Sequence, residues 1–77
     1  MTDYERSILY IQHAEWDNLL ILMVRTRDHF LAKKIEKFLH AYHYICNNEE
    51  IENNLCELLN YLNHSATVHA TAHNPFS

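Results

Sequence analysis

The chain has 77 residues, a net charge of −4, no glycine and one proline, Pro75. A chain of this length forms one domain, and the lack of turn-forming residues argues against all-β and mixed folds. The mild negative charge also argues against a protein that binds nucleic acid through its overall charge.

The beginning of the chain and its cysteines predict a compartment. Residues 1–5 are acidic, whereas a secretory signal begins with positive charge, and Cys46 and Cys56 are too few for a secreted disulfide framework. No apolar run is long enough to cross a bilayer. We therefore expect a cytoplasmic protein with reduced thiols and no membrane association.

Thr2 and Glu5 form a capping-box pattern, which predicts a first helix beginning near residue 3. Its apolar positions recur at helical spacing up to the run 19–24. Nothing stops this helix before Thr26 and Asp28, which are good N-caps. The helix either continues or turns there; we favour a turn, because a helix of roughly 40 residues would be about 60 Å long.

Two further segments carry helical stripes. Residues 29–46 have a stripe of large apolar side chains: Phe30, Leu31, Ile35, Phe38, Tyr42 and Ile45. Asn47 and Glu50 repeat the capping pattern. The third predicted helix, about 48–63, has a regular apolar stripe that consists of Ile51, Leu55, Leu58 and Leu62.

These elements predict an all-α domain over residues 1–63, with two or three helices in an up-down hairpin or bundle. Residues 64–77 lack periodicity and predict a flexible C-terminal tail. The run 19–24 is apolar on every side of a helix, which is more than a small domain covers alone. We expect a homodimer or a partner chain to complete the bundle.

Few side chains are candidates for metal binding or catalysis. Glu36, His40, His43 and Cys46 are residue types that bind zinc, but Glu36 and Cys46 would lie about 15 Å apart along a helix. We predict no metal ligands or other cofactor, although whether His40 and His43 bind a metal stays open. Cys46 with His43 could activate a thiol, but no glycine-rich loop offers an oxyanion site. We expect no enzyme, and keep a small metal- or thiol-dependent protein as an alternative.

The first functional hypothesis is a small cytoplasmic protein-binding regulator: an inhibitor, adaptor or chaperone that uses an apolar helical surface. The candidate contacts are large apolar or aromatic side chains, the types favoured as binding anchors: Trp16, Leu20, Met23, Phe30 and Phe38. The stretch Ala14-Glu15-Trp16-Asp17-x-Leu19, followed by Arg25, resembles the first helix of flagellar and type III export chaperones. This resemblance implies a helical protein that binds a partner.

The second hypothesis is a nucleic-acid-associated regulator. Residues 25–46 carry a net charge of +3 between segments of −3 and −4. These basic residues could contact phosphates, or they could complement the charge of the acidic segments on either side. There are five of them: Arg25, Arg27, Lys33, Lys34 and Lys37.

Overall fold

The computed structural model describes the backbone of residues 1–73 and the side chains of residues 1–65. The predicted all-helical class is confirmed, but the described chain has four α-helices rather than two or three. A five-residue π-helical turn follows the third helix without a break. The elements are α1 (Asp3–Gln12), α2 (Trp16–Arg25), α3 (His29–His40), the π-helical turn (Ala41–Ile45) and α4 (Asn48–His73).

The extra helix arises because the first predicted helix is interrupted at residues 13–15. Ala14 has a φ of 54°, the left-handed conformation that glycine usually supplies at a helix end. The Glu15 N–H donates to the Tyr10 carbonyl at 2.8 Å, and the Ala14 N–H donates to the Ile11 carbonyl at 3.1 Å. These two bonds form a Schellman motif, which satisfies carbonyls at the end of α1.

The predicted caps at the other helix starts are present. Thr2 and Glu5 form the reciprocal capping box. The predicted turn at 25–28 is confirmed, and the Asp28 carboxylate accepts from the backbone N–H groups of Phe30 and Leu31, both at 3.0 Å. Asn47 accepts from the backbone of Glu49 and Glu50. Local polar side chains therefore set three of the four helix starts.

α4 extends beyond the predicted helix end near residue 63, and its backbone is helical to His73. The predicted tail, 64–77, begins inside this helix. Its last four residues lie outside the described part of the chain, and so do the side chains from residue 66 onward. The tail's flexibility therefore stays a prediction.

The four helices contact one another in a closed cycle: α1 with α2, α2 with α3, α3 with α4, and α4 with α1. α3 contributes most of the core, as its stripe predicts. The core cluster consists of buried apolar side chains from α2, α3 and α4: Leu19, Leu31, Ile35, Phe38, Leu39, Leu58 and Leu62. Burial of this cluster is the main driving force that holds the helices together.

Asp28 joins three helices through its carboxylate. One oxygen, Oδ2, accepts from the Tyr4 hydroxyl of α1 at 2.7 Å and from the Tyr61 hydroxyl of α4 at 2.6 Å. The other oxygen, Oδ1, caps α3. The rings of Tyr4 and Tyr61 lie edge to face, with centroids 6.4 Å apart. One side chain thus fixes the start of α3 against α1 and α4.

A second polar link holds the same corner. The Thr26 hydroxyl donates to Oδ2 of Asp3 at 2.9 Å, and it accepts from the Asp28 backbone N–H at 3.2 Å. The turn between α2 and α3 is therefore tied to the first turn of α1. These bonds fix the position from which α2 and α3 diverge.

The shared carboxylate shifts the acidity of all three groups. The hydrogen bond that the Tyr4 hydroxyl donates to Asp28, and to a lesser extent burial, raise the pKa of Tyr4 to about 12. Burial and the same carboxylate raise the pKa of Tyr61. Partial burial alone would raise the pKa of Asp28, but the two tyrosine hydroxyls and the two backbone N–H groups outweigh it and lower that pKa. The ionised carboxylate is the form that the fold stabilises.

Ala14→Gly is expected to raise the free energy of unfolding by about 0.5–1 kcal/mol. A residue with a Cβ is strained by about 1–2 kcal/mol in the left-handed conformation, and glycine removes this strain. The greater freedom of glycine in the unfolded chain offsets part of the resulting stabilisation. The measurement is urea denaturation followed by circular dichroism. As a matched control, Ala32→Gly in the middle of α3 should lower the same free energy by about 1 kcal/mol. Destabilisation by both substitutions would contradict the assigned conformation of Ala14.

Asp28→Asn is expected to lower the free energy of unfolding near neutral pH by about 2 kcal/mol, because charge-assisted hydrogen bonds are lost. The folded-state pKa of Asp28 lies below its unfolded value. The contribution of Asp28 to the free energy of unfolding is therefore complete above its pKa in the unfolded chain. It disappears as the pH falls through its pKa in the folded chain. The difference between wild type and variant should shrink in that acidic range, measured by urea denaturation at a series of pH values. A difference independent of pH would contradict the role of the ionised carboxylate.

Candidate partner-binding surface

The apolar run 19–24 lies in α2 and is only partly covered. Leu19 is fully buried and Leu22 nearly so, whereas Leu20, Ile21 and Val24 are 48%, 51% and 74% exposed. We call these three side chains the outer face of α2. The other helices of the chain therefore bury only one side of this apolar run, which was predicted to need a partner chain to bury it.

A groove of about 370 Å³ runs between α2 and the end of α3. Trp16, Leu20 and Met23 line it from α2, and Leu39 lines it from α3. Three of the five predicted contacts thus meet in one place. The groove combines an apolar lining with helical walls, which is the form of surface that accepts an amphipathic helix.

A second depression continues the groove toward the start of α3. It shares Met23 and Glu36 with the groove, and Phe30 and Lys33 also line it. The Phe30 side chain is 74% exposed, although the sequence placed it in the apolar stripe of the second segment. Phe30 therefore extends the predicted surface instead of filling the core.

Phe38 is the predicted contact that the surface does not include. Its side chain is 1% exposed and belongs to the core cluster. The Trp16 ring packs on it, with centroids 5.4 Å apart, and also contacts the Tyr42 ring at 5.1 Å. Phe38 supports the wall of the groove from behind, and a partner cannot reach it in this conformation.

The π-helical turn brings polar side chains to the open end of the groove. His43 and Tyr44 of this turn line the groove with His40 of α3 and Asp17 of α2. Glu36 lines it farther along α3, where the second depression begins. The Nδ1 atom of His43 lies 3.0 Å from the Leu39 carbonyl, so this nitrogen carries the proton and donates. The sequence did not associate these side chains with Trp16, because they lie on different elements of the fold and spacing along the chain does not show which elements pack together.

Among the side chains described, no group of three or more histidine, cysteine or acidic residues is arranged to hold a metal ion. Cys46 and Cys56 are both free and exposed. On α4, Leu58 and Leu62 face the core, whereas Cys56 faces solvent.

The five basic residues of the middle segment do not form one face. Lys33 borders the depression beside Phe30, whereas Lys34 lies over the Tyr61 ring of α4, with Nζ 5.7 Å from its centroid. Lys37 lies across from Glu50 and Glu57 of α4. Arg25 lies near Asp3 in a depression between α1 and α2, and Arg27 is exposed in the following turn. This dispersion does not favour the nucleic-acid alternative.

Within residues 1–73, none of the helices combines the length with the apolar character that crossing a bilayer requires.

Comparison with known proteins relates the chain to one family. The family model described as "YhdB-like protein" matches residues 1–69. A relative from Bacillus subtilis (strain 168), described as "Uncharacterized protein YhdB", is 49% identical over 66 residues, covering 86% of this chain and 82% of the relative. No solved structure matches.

Phe38→Ala and Phe30→Ala are expected to differ in their effect on stability, because Phe38 lies in the core and Phe30 on the surface. Removal of the buried Phe38 ring should lower the free energy of unfolding by about 3–5 kcal/mol. Removal of the exposed Phe30 ring should change it by no more than about 0.5 kcal/mol. Urea denaturation followed by circular dichroism measures both. Equal losses for the two variants would contradict the assignment of Phe30 to the surface.

Proposed function

The chain belongs to the YhdB-like protein family, and we propose that it is a small, non-enzymatic regulator that binds another protein through an apolar helical surface. The regulator class includes inhibitors, adaptors and chaperones, which all need such a surface. Its proposed location is the cytoplasm, in agreement with the small number of cysteines, both of which are free.

The observation that carries this proposal is the groove between α2 and α3. Trp16, Leu20 and Met23 line it together, and the exposed Phe30 ring continues it. A small domain gains stability by burying such side chains. Their grouping around an open groove is therefore explained better by binding to another protein than by folding of the chain alone. Aromatic and methionine side chains around an open groove are typical of protein-binding surfaces.

The shape and charges of the groove indicate the kind of partner. Its two walls are helical, so an amphipathic helix of the partner can lay its apolar side between them. Asp17 and Glu36 lie at the edge of the groove, where they favour basic residues flanking the partner's apolar side. Lys33 lies beside Phe30 in the second depression, which Glu36 also lines, and it favours an acidic residue of the partner there.

Site-specific photocrosslinking in the native host tests the proposal. A photoreactive phenylalanine analogue at position 30 should yield one discrete crosslinked protein, because this side chain borders the groove and its replacement leaves the core intact. The matched control is the same analogue at position 52, where Glu52 is exposed on α4. Crosslinks should be analysed by gel electrophoresis and mass spectrometry.

A second variant connects the crosslink with the groove. Met23→Lys places a charge on the apolar lining, and it should abolish the crosslink from position 30 while circular dichroism still shows a folded chain. An identical set of crosslinked proteins from positions 30 and 52 would contradict the proposal. A crosslink that persists in folded Met23→Lys would also contradict it.

A further inference from the structure

The outer face of α2 is bounded by two opposite charges. Asp17 lies one turn before Leu20 and Ile21, and Arg25 lies one residue after Val24 at the end of the helix. Successive residues of a helix are about 100° apart, so Asp17, Ile21 and Val24 point in nearly the same direction, away from the buried Leu19. Arg25 borders this face on one side and Leu20 on the other.

Both charges are available for an external partner. Asp17 and Arg25 are exposed, and Asp3, which lies in the same depression as Arg25, pairs with Arg6 instead. Within the part of the chain whose side chains are described, the single ion pair closer than 4.0 Å is Arg6 with Asp3. Asp17 and Arg25 are about 12 Å apart along the helix axis, too far to pair with each other. The face thus presents an apolar stripe with one negative and one positive end.

We propose that a second copy of this chain docks on the outer face of α2, with the two α2 helices antiparallel and related by a twofold axis near Ile21. In this arrangement Asp17 of each copy lies opposite Arg25 of the other. Positions 17 and 25 lie equally far before and after position 21, as a twofold axis near Ile21 requires. Leu20, Ile21 and Val24 of the two copies form the apolar seam between the charge pairs.

The pattern of charges selects both the occupant and its direction. A parallel arrangement would place Asp17 against Asp17 and Arg25 against Arg25, which repel. An antiparallel copy pairs all four charges and covers both apolar stripes at once. The same helix therefore carries both halves of a self-complementary contact, which is the property of an interface between identical chains.

This inference does not depend on the proposed function. Met23 and Phe30, which characterise the groove, lie outside the outer face of α2, whereas Asp17 and Leu20 border both surfaces. A dimer through the outer face leaves Trp16, Met23 and Phe30 of each copy outside the contact. Dimerisation is measured on the purified chain, so its result is independent of whether another protein binds the groove.

Charge reversal tests the contact in the full chain by sedimentation and native mass spectrometry over a concentration series. The wild type should form a dimer. Asp17→Arg and Arg25→Asp each place like charges opposite one another, and each should weaken the dimer by about tenfold or more. An equimolar mixture of these two variants should form a mixed dimer, because both end positions of the first chain are then basic and both end positions of the second are acidic. Glu52→Lys on α4 is the control and should leave dimerisation unchanged.

Folding defects are distinguished from loss of contact by the double variant. Both reversals oppose the α2 dipole, yet the chain that carries Asp17→Arg and Arg25→Asp together should recover the dimer, because its pairs are again opposite in charge. A monomeric wild type would overturn the proposal. So would a dimer insensitive to both single reversals, or single variants that weaken the dimer but show no recovery in the mixture or the double variant.

Discussion

The Asp28 carboxylate is the polar interaction on which the relative placement of three helices depends. It receives one hydroxyl from α1 and one from α4 while it caps α3. Hydrophobic burial holds the bundle together but is not directional, whereas hydrogen bonds require particular distances and angles. The carboxylate thus supplies the orientation that the apolar core does not specify by itself. Loss of either tyrosine hydroxyl would leave the cap in place but would remove the hydrogen bond that orients one neighbouring helix.

The same corner positions the candidate surface. α2 ends at Arg25 and α3 begins at His29, and the short connection between them is tied to α1 through Thr26. Since both walls of the groove leave this corner, its bonds restrict how far they can separate. Phe38 then supports Trp16 from the core side. A surface built on helices fixed at one end and packed from behind keeps its shape before a partner arrives, which lowers the entropy cost of binding.

The sequence predicted features that depend on neighbouring residues. The caps at Thr2, Asp28 and Asn47 are local patterns, and the structure contains all three. The two tyrosine contacts to Asp28 were beyond sequence reasoning, because Tyr4 and Tyr61 lie 24 and 33 residues away from it. Periodicity identified the buried side chains Leu31, Ile35, Phe38, Leu58 and Leu62. Its stripe in the second segment also included Phe30, Tyr42 and Ile45, which are exposed.

Local patterns failed where the backbone departs from an ordinary helix. The break between α1 and α2 was missed, because its left-handed residue is an alanine and not the glycine that signals such an end. The stripe of the second segment included Phe30, which neighbours the buried Leu31 but points about 100° away from it. At the other end of α3, the π-helical turn places His43 and Tyr44 on the groove. Trp16, Leu20 and Met23 were predicted as contacts from their residue types, and the regular helix α2 places all three on one wall of the groove.

Trp16 is the single tryptophan of the chain, and it lies in the wall of the groove, half-buried against Phe38 and Tyr42. Indole emission responds to the polarity around the ring, and this ring is positioned where an incoming side chain would replace water. The protein therefore contains its own optical reporter of whether the groove is filled. Because no second indole contributes to the signal, occupancy can be followed without a label.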